Sequence, residues 1–270
     1  MRERILAIVI TYNPNIQLLN SNIEAFEQYV DRILIWDNSP QTISYSISHS
    51  EKIEYRKSHN NSISQALNEG WRYASNQGYD YLLTMDQDSV FENFEDYKRK
   101  SLGILDGKLC VVGPSVNNIS NKYQIISKDT IITSGMLVPI KLLEKANGWR
   151  EDFTVDAIDI DFCLNVTALG YPIYQLDGCR LIQQFGTPEK RILFGKEIVI
   201  HNYNPLRLYG YTRNMYITLS EHGFPKSITT RYKKAIRNTL FYIILFEGSK
   251  YKKIKAIVRG VIDGIAYTRA

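Results

Sequence analysis

Two carboxylates end a largely apolar stretch of the sequence, YLLTMDQDSVF, at residues 81–91. Asp86 and Asp88 stand two positions apart, and in an extended chain residues at that spacing project to the same face. One or two carboxylates, completed by substrate phosphate oxygens, commonly hold Mg²⁺ in proteins. The pair therefore predicts a site for a divalent cation and a phosphorylated substrate. A solvated turn at the end of the strand, capped by Ser89, is the alternative.

A second acidic cluster, Asp156, Asp159 and Asp161, lies just before or within the start of a predicted helix. Its apolar neighbours Ile158 and Phe162 indicate partial burial. Burial raises the pKa of a carboxylic acid, and a carboxylate with a raised pKa can act as a general base. One of these acids is therefore a candidate catalytic base. A favourable interaction with the helix dipole is the alternative explanation for acids at this position.

A third polar segment begins at His201 and continues through Arg207 and Arg213. A neutral imidazole can complete a metal site, and guanidinium groups can neutralise phosphate. An ordinary surface segment is the alternative. The 19 tyrosines of the chain either line a sugar-binding surface or pack in the core, and their number does not distinguish the two.

The elements that must position these acids alternate between strands and helices. Apolar runs predict strands at 4–10, 31–39 and 79–85, and helical spacing predicts helices at 15–30 and 62–78. This order implies an α/β fold in which a mainly parallel sheet carries helices on both faces. The later part of the chain is less regular, with strands predicted at 108–116, 130–140 and 172–186 and helices at 141–147 and from about 157 to 170.

Polar residues follow three of the predicted strands. These residues are Thr11, Tyr12 and Asn13 after the first strand, Asp37, Asn38 and Ser39 after the second, and Asp86, Gln87 and Asp88 after the third. Ligands of such sheets bind at the carboxyl ends of the strands. We therefore expect the three groups to converge on one cleft.

Composition and charge limit the compartment and the partners. The three cysteines form no paired framework, which indicates a reducing, cytoplasmic compartment. The N-terminal apolar run is short and is interrupted from Thr11 to Pro14, so it predicts a buried strand and not a signal peptide. No stretch reaches the roughly 18 apolar residues that a membrane-spanning helix needs.

The net charge of +5 is unevenly distributed. Residues 226–270 contain 11 Lys and Arg against 2 Asp and Glu, which leaves 22 against 26 in residues 1–225. The tail alternates cationic and apolar residues and predicts two helices broken near Gly248 and Ser249. This pattern is typical of an interfacial helix on anionic lipid, with a helix packed on the domain or an oligomer contact as alternatives. The apolar block at 240–245 argues against nucleic acid.

Taken together, these residues resemble the inverting family 2 glycosyltransferases with the GT-A fold, and most closely the bacterial rhamnosyltransferases. The resemblance covers about residues 4–220. It rests on VITYNP (9–14), IWDNSP (35–40), HNNSISQALNEGWRYA (59–74), TMDQDS (84–89), TSGMLVP (133–139), GWREDFTVDAIDIDFCLNVTALGY (148–171) and NPLRLYGYTRN (204–214). It implies a Rossmann-like GT-A domain at 1–225 and a basic helical extension at 226–270.

The resemblance also implies roles for individual residues. Nucleotide-sugar contacts are expected from Thr11, Tyr12, Asn13, Asp37, Asn60, Asn68, Asp86, Gln87 and Asp88. Asp88 is the expected ligand of Mg²⁺ or Mn²⁺, with His201 as a further candidate. Asp159 is the expected base, and acceptor contacts are expected from Trp149, Asp156, Asp161 and Arg213. The implied donor is dTDP-β-L-rhamnose, and the implied acceptor is a saccharide or a lipid-linked saccharide at the inner face of the bacterial plasma membrane.

Two departures from the family pattern keep other functions open. Ser62 replaces a glycine, and Gln183 and Gln184 stand where family members often carry a metal-binding histidine. A transferase that uses a UDP-hexose and an inactive sugar-nucleotide binder are therefore alternatives. A haloacid-dehalogenase-type phosphatase with Asp86 as its nucleophile is another, although the second acidic motif of that class is missing.

Overall fold

A computed structural model describes residues 3–40, 50–58, 62–118, 122–183, 189–193 and 195–269. Contacts divide the chain into two compact units. The first comprises Met1–Thr154 and Ile158–Gln183, and the second comprises Val155–Ala157 and Gln184–Ala270. The predicted boundary at 225/226 therefore does not coincide with the division by contacts, and its meaning as a boundary between functional domains stays a prediction.

The first unit is built on a central sheet. Its strands are β1 (Ile5–Thr11), β2 (Arg32–Asp37), β3 (Ile53–Lys57), β4 (Tyr81–Asp86), β5 (Ser89–Phe91), β6 (Val111–Val116), β7 (Gln124–Ser127), β8 (Leu137–Pro139) and β9 (Ile173–Gln183). Its helices are α1 (Ile16–Phe26), α2 (Ile63–Asn76), α3 (Phe94–Leu105), α4 (Ile140–Ala146) and α5 (Ile158–Ala168), and Glu27–Tyr29 form a 3₁₀ turn. Among the described residues the strands run in the order β3-β2-β1-β4-β8-β6-β9-β5, and β7 also pairs with β9.

The centre of this sheet is parallel and covered on both faces, as predicted. β1 pairs in parallel with β2 and β4, and all seven of its residues are buried. Alternate residues of β1 pack with Ile23 and Phe26 of α1, whereas Ile8 faces α2, where a Cβ added to Gly70 would lie 2.5 Å from its Cδ1 atom. Strands buried on both faces lack polar alternation, which explains the continuous apolar runs of the sequence.

Helix starts follow local side-chain capping. The Ser62 hydroxyl accepts a hydrogen bond from the backbone N–H of Gln65 at 3.3 Å and so caps α2. The backbone of Ser62 has φ −82°, which a serine adopts without strain. Asn15 caps α1 in the same way through the N–H of Leu18. The replacement of the family's glycine by Ser62 is therefore harmless to the fold.

Several elements of the first unit differ from those predicted from the sequence. β3, β5, β7 and α3 were not predicted. The strand predicted at 130–140 contains only β8, because residues 133–136 form a turn in which Gly135 has φ +83°. The N–H of Gly135 donates to the Thr84 carbonyl at 2.7 Å in that turn. The turn places Ser134 beside the end of β4.

The second unit consists of a hairpin and three helices within the described residues. These elements are β10 (Glu189–Leu193), β11 (Lys196–Ile200), α6 (Pro205–Glu221), α7 (Lys226–Leu245) and α8 (Lys250–Arg269). The helices confirm the two predicted tail helices and their break near Ser249. α8 lies directly on α6, because a Cβ at Gly260 would meet the Thr212 hydroxyl at 2.1 Å. The buried Lys253 amine contacts Glu247 Oε2 at 2.6 Å.

No helix in the described ranges is both long enough and apolar enough to cross a bilayer.

The tight packing at Gly148 gives a test of the first unit. We expect Gly148→Ala to lower the free energy of unfolding by about 1–2 kcal/mol for its left-handed backbone at φ +65° and by about 1–3 kcal/mol more for overpacking. An added Cβ would lie 2.3 Å from Asn68 Oδ1 and 2.8 Å from the Trp71 ring. Gly107→Ala is the matched control, because Gly107 has φ +64° and open space around it. If urea unfolding shows the same loss of unfolding free energy for both variants, the expected contribution from overpacking is contradicted.

Candidate active site

The ends of β1, β2 and β4 lie at one edge of the sheet, as predicted. The parallel register pairs Thr11 with Asp37 and Ile10 with Asp86. The three polar groups of the sequence therefore meet at the carboxyl edge of the first unit. Asn60, another predicted contact of the nucleotide, lies outside the described residues.

The Asp37 carboxylate, at the end of β2, is fully buried and accepts five hydrogen bonds. Its Oδ1 accepts from Thr11 Oγ1 at 3.1 Å, from the Ser39 N–H at 2.9 Å and from Ser39 Oγ at 2.5 Å. Its Oδ2 accepts from the Tyr55 hydroxyl at 2.6 Å and from Lys57 Nζ at 3.0 Å. Burial alone would raise the pKa of Asp37, but these hydrogen bonds outweigh it and hold the pKa well below its usual range.

This arrangement changes the expected role of Asp37. The carboxylate has no exposed surface, so the structure does not support its predicted direct contact with the nucleotide. Asp37 instead fixes the loop after β1, because Ser39, which it holds, accepts a hydrogen bond from the Asn13 N–H at 2.7 Å. Thr11 likewise acts through Asp37.

Tyr12 and Gln87 are joined by a reciprocal pair of hydrogen bonds. The Tyr12 N–H donates to Gln87 Oε1 at 2.7 Å, and Gln87 Nε2 donates to the Tyr12 carbonyl at 3.2 Å. This amide bridge ties the loop after β1 to the turn after β4. The Tyr12 side chain remains 51% exposed at the edge, where a ligand can reach it.

Asp86 ends β4 in a position that favours the neutral acid. Its backbone N–H donates to Ser134 Oγ at 3.0 Å, and its carbonyl accepts from Asn22 Nδ2 at 2.7 Å. Removal from water, followed by repulsion from Asp88 and then from Asp159, raises the pKa of Asp86 to about 7. A hydrogen bond from Gln183 Nε2 to Asp86 Oδ2, 2.8 Å long, opposes this shift.

Asp88 does not lie on an extended strand. β4 stops at Asp86, and Gln87 and Asp88 form the turn into β5. The expectation that both acids project from one face of a strand is therefore wrong, because the chain reverses after Asp86. The turn still keeps the two carboxylates close enough to repel each other, and burial raises the pKa of Asp88 as well.

Asp159 and Asp161 lie in the first turn of α5. Asp159 is partly buried and acts electrostatically on Asp86, so it belongs to the same acidic cluster. Asp161 is 7% exposed, and its Oδ1 lies 3.5 Å from Arg150 Nη1, whose guanidinium covers the Phe153 ring. Asp161 therefore helps to hold the segment before α5, and its role in positioning the acceptor stays a prediction.

Asn68 and Trp149 are buried and hydrogen-bond to each other, so they do not form an open binding surface. Asn68 Oδ1 accepts from the Trp149 N–H at 2.8 Å, and its Nδ2 donates to the Trp149 carbonyl at 2.7 Å. The Trp149 ring is 2% exposed and stacks on Phe162 at 4.6 Å. The structure thus does not support the predicted nucleotide contact of Asn68 or the predicted acceptor contact of Trp149.

The arrangement of this edge agrees with a family comparison. Residues 7–135 match the family model described as glycosyl transferase family 2. This range begins within β1, ends before β8 and includes Asp86 and Asp88. This part of the chain therefore resembles a glycosyl transferase family 2 domain. The dTDP-rhamnosyl transferase RfbF of Shigella flexneri is 24% identical over an alignment of 291 positions, which covers 98% of this chain and 96% of that relative.

Solved structures show the same fold at lower sequence identity. The S. aureus TarS 1-349 structure in complex with UDP-GlcNAc has a TM-score of 0.60 and 12% identity. The match covers 96% of this chain and 81% of the TarS 1-349 chain. GalNAc-T7 with UDP, GalNAc and Mn²⁺ has a TM-score of 0.59 and 8% identity, over 81% of this chain and about half (48%) of that structure. The fold is therefore the GT-A glycosyltransferase fold that the resemblance implied.

The oxygen atoms at the carboxyl edge of the sheet fit a hard divalent cation. Asp86 and Asp88 supply carboxylates that repel each other, and Gln183 Oε1 is buried without a hydrogen-bond partner among the described residues. Within those residues, no three His, Cys, Asp or Glu side chains are grouped to hold a metal alone. A cation at this edge would take its remaining ligands from substrate phosphate and water, as Mg²⁺ commonly does.

The remaining predicted site residues belong to the second unit. Asp156 Oδ1 lies 3.3 Å from Arg207 Nε. Arg213 donates to Asn214 Oδ1 at 2.9 Å, and its guanidinium lies 5.2 Å from the Tyr267 ring centroid. The His201 ring is exposed and stacks on Tyr203 at 5.3 Å. The metal role of His201 and the acceptor roles of Asp156 and Arg213 stay predictions.

Several residues at the carboxyl edge of the sheet were not predicted from the sequence. Tyr55 and Lys57 lie on the unpredicted strand β3, and Asn22 and Ser134 reach Asp86 from distant segments. The alternation of IEYRK at residues 53–57 was a usable signal for β3. No comparable signal marks Asn22 or Ser134, since only the folded chain brings them to β4.

The Asp37 cluster predicts an acid-dependent loss of stability. We expect Asp37→Asn to lower the free energy of unfolding at pH 7 by about 1–3 kcal/mol, because buried donors lose their acceptor. The pKa of Asp37 is lowered by folding, so its contribution is present above the unfolded value of about 3.9 and is lost as the pH falls. Urea unfolding should therefore show the gap between wild type and variant narrowing from pH 6 to pH 3. The exposed Asp106 gives the control Asp106→Asn, and a gap independent of pH would contradict the assignment.

Proposed function

We propose that this family 2 glycosyltransferase is an inverting rhamnosyltransferase that uses dTDP-β-L-rhamnose. The observation that carries a transferase site is the convergence of the Asp86, Asp88 and Asp159 carboxylates at the carboxyl edge of the sheet. The donor is supported by the likeness over 98% of the chain to a dTDP-rhamnosyl transferase. The family match also favours a transferase over a phosphatase that would use Asp86 as a nucleophile.

The proposed reaction is a single displacement at the anomeric carbon. Asp159 accepts the proton of the acceptor hydroxyl as its oxygen forms a bond to that carbon. The bond from the anomeric carbon to the diphosphate oxygen breaks on the opposite face, and dTDP leaves. Asp159 suits the base because its carboxylate stands at the start of α5 on the rigid first unit, close to the acids of β4.

In this proposal Asp88 and Asp86 hold Mg²⁺ or Mn²⁺ together with the diphosphate, and the Gln183 carbonyl is a further oxygen ligand. When bound, the cation neutralises charge on the leaving diphosphate. The loop from Tyr12 to Asn13 is kept at the edge by Gln87 and Ser39 and offers backbone and side-chain contacts to the nucleotide. These roles remain proposals for this chain.

Calorimetric titration with dTDP and UDP, with and without Mg²⁺, tests the donor site. We expect dTDP to bind more tightly than UDP and Asp88→Ala to weaken metal-dependent binding at least tenfold, about 1.4 kcal/mol. Asp159→Asn is the matched variant. It should keep dTDP affinity and lower the rate of sugar transfer about 10²–10⁴-fold, because only the proton acceptor is lost.

Each contrary result of this titration has a defined meaning. A preference for UDP would favour a transferase that uses a UDP-hexose. Nucleotide binding without transfer or donor hydrolysis would favour an inactive binder. The absence of nucleotide binding under all conditions would overturn the proposed function.

We further propose that the C-terminal helices attach this enzyme to an anionic membrane surface on the cytoplasmic side. The exposed side of α7 carries Lys234 and Arg237 and then Phe241, Ile244 and Leu245. The exposed residues of α8 combine Tyr251, Val258 and Ile262 with Lys252, Lys255 and Arg259. Apolar residues with flanking cations suit the boundary between acyl chains and acidic headgroups. A lipid-linked saccharide acceptor would then lie within reach, whereas packing between copies of the chain is the alternative.

Vesicle sedimentation tests this attachment. We expect the wild-type protein to bind vesicles of phosphatidylcholine with phosphatidylglycerol more than phosphatidylcholine alone, and to be released by salt. Ile244→Ser should reduce the bound fraction, because it removes apolar surface from the lipid-facing side. Ile125→Ser is the control, since Ile125 is 50% exposed on the first unit and Ile244 is 55% exposed. Equal binding of both variants, or binding indifferent to lipid charge, would contradict the proposal.

A further inference from the structure

A cavity of about 390 Å³ lies in the second unit, among the hairpin, α6 and α7. This volume is within the range of small-molecule sites, about 300–1,000 Å³. Its walls combine the charged residues Asp156 and Arg207 with the rings of His201, Tyr203, Tyr211 and Tyr242. Aromatic and apolar walls with a few converging polar groups are typical of a ligand pocket.

The polar side of the cavity offers both kinds of hydrogen-bonding group. Asp156 and Arg207 form an ion pair 3.3 Å long, with side chains 14% and 45% exposed. Burial raises the pKa of Asp156, and Arg207 opposes the shift. The carboxylate accepts and the guanidinium donates hydrogen bonds, so together they complement hydroxyl groups, which do both.

On the aromatic side of the cavity, each ring contacts a neighbouring side chain. His201 and Tyr203 stack with ring centroids 5.3 Å apart and an angle of 6° between their planes. The Arg207 guanidinium lies 4.6 Å from the Tyr203 ring centroid. Tyr211 is held by Tyr232, with centroids 5.8 Å apart. Fixed rings present apolar surface at little cost in side-chain entropy on binding.

The backbone that carries Asp156 is held in an unusual conformation. Asp156 and Ala157 have φ of +54° and +66°, a region that residues other than glycine rarely adopt. The Asn214 side-chain amide donates to the carbonyls of Val155 and Asp156 at 3.1 and 3.2 Å, and Arg213 donates to Asn214. Strained backbone concentrates at ligand sites. Arg213 and Asn214 therefore act as positioning residues for Asp156.

We propose that this cavity binds an uncharged sugar residue of the acceptor, with Asp156 and Arg207 contacting its hydroxyl groups and Tyr203 packing against its ring. This inference rests on the proposed function, because it assigns the acceptor of the same transferase. Glu247 also lines the cavity, but it pairs with Lys253 at 2.6 Å as Asp156 pairs with Arg207, and this balance of charge selects a neutral ligand. A phosphate would be repelled by Asp156, and a cation would be repelled by Arg207.

Ligand-observed NMR with methyl α-L-rhamnopyranoside as the probe tests the cavity on the full chain. We expect saturable binding to the wild type and about tenfold weaker binding to Asp156→Asn, which loses a charged hydrogen-bond acceptor. Tyr203→Leu should weaken binding, and Tyr203→Phe should keep it, since the ring is retained. Tyr251→Leu is the matched control, because Tyr251 is 76% exposed on α8 and does not line the cavity.

Calorimetric binding of dTDP to the same variants separates this proposal from the proposed function. Unchanged dTDP affinity together with weakened glycoside binding would support an acceptor site apart from the donor site. Intact dTDP binding with no saturable glycoside binding, or with glycoside binding unaffected by Asp156→Asn and Tyr203→Leu, would overturn the cavity assignment alone. Loss of dTDP binding in the wild type would overturn the proposed function. Displacement of the glycoside by inorganic phosphate would overturn the assignment of a neutral ligand.

Discussion

Repulsion among carboxylates that are taken out of water is the constraint on which the candidate active site depends. Removal from water, together with repulsion from Asp88 and then from Asp159, raises the pKa of Asp86 to about 7. The surrounding structure lowers this cost only in part, since Gln183 gives one hydrogen bond to Asp86. A cation or a proton would stabilise such a cluster, which is why the edge of the sheet is suited to a metal–diphosphate ligand.

Asp37 is a carboxylate of the same sheet edge with a structural role. It lies one strand from β4, yet five hydrogen bonds satisfy it and hold its pKa low. The partly buried carboxylate of Asp86 accepts a hydrogen bond from Gln183, and its pKa is raised. This difference in hydrogen bonding separates Asp37, which fixes the loops, from the acids that we propose contact the substrate.

The second unit combines three properties that a transferase acting on membrane-linked saccharides would use. α8 packs on α6 through Gly260, so the basic tail is part of a compact unit and not a loose extension. Its other face remains exposed, with cationic and apolar residues together. The same unit contains the cavity beside Asp156 and the strained segment that carries it.

Local patterns in the sequence predicted the alternation of β1, α1, β2, α2 and β4 and the convergence of three polar groups at one edge of the sheet. Continuous apolar runs and side-chain caps are local signals, and parallel strands necessarily bring their carboxyl ends together. The family resemblance also followed from short local motifs. These signals suffice for the fold class and for placing Asp86 at the end of β4, whereas the turn that holds Asp88 was not predicted.

Which of the predicted residues are buried and which are exposed became clear only from the folded chain. Asn68 and Trp149 match family positions, but their hydrogen bonds and burial in the core bind them to each other. Gln183 reaches Asp86 across 97 positions of sequence, and no local pattern encodes that contact. Burial and hydrogen-bond satisfaction depend on segments far apart in the chain, so the roles of individual side chains emerge only when the chain is folded.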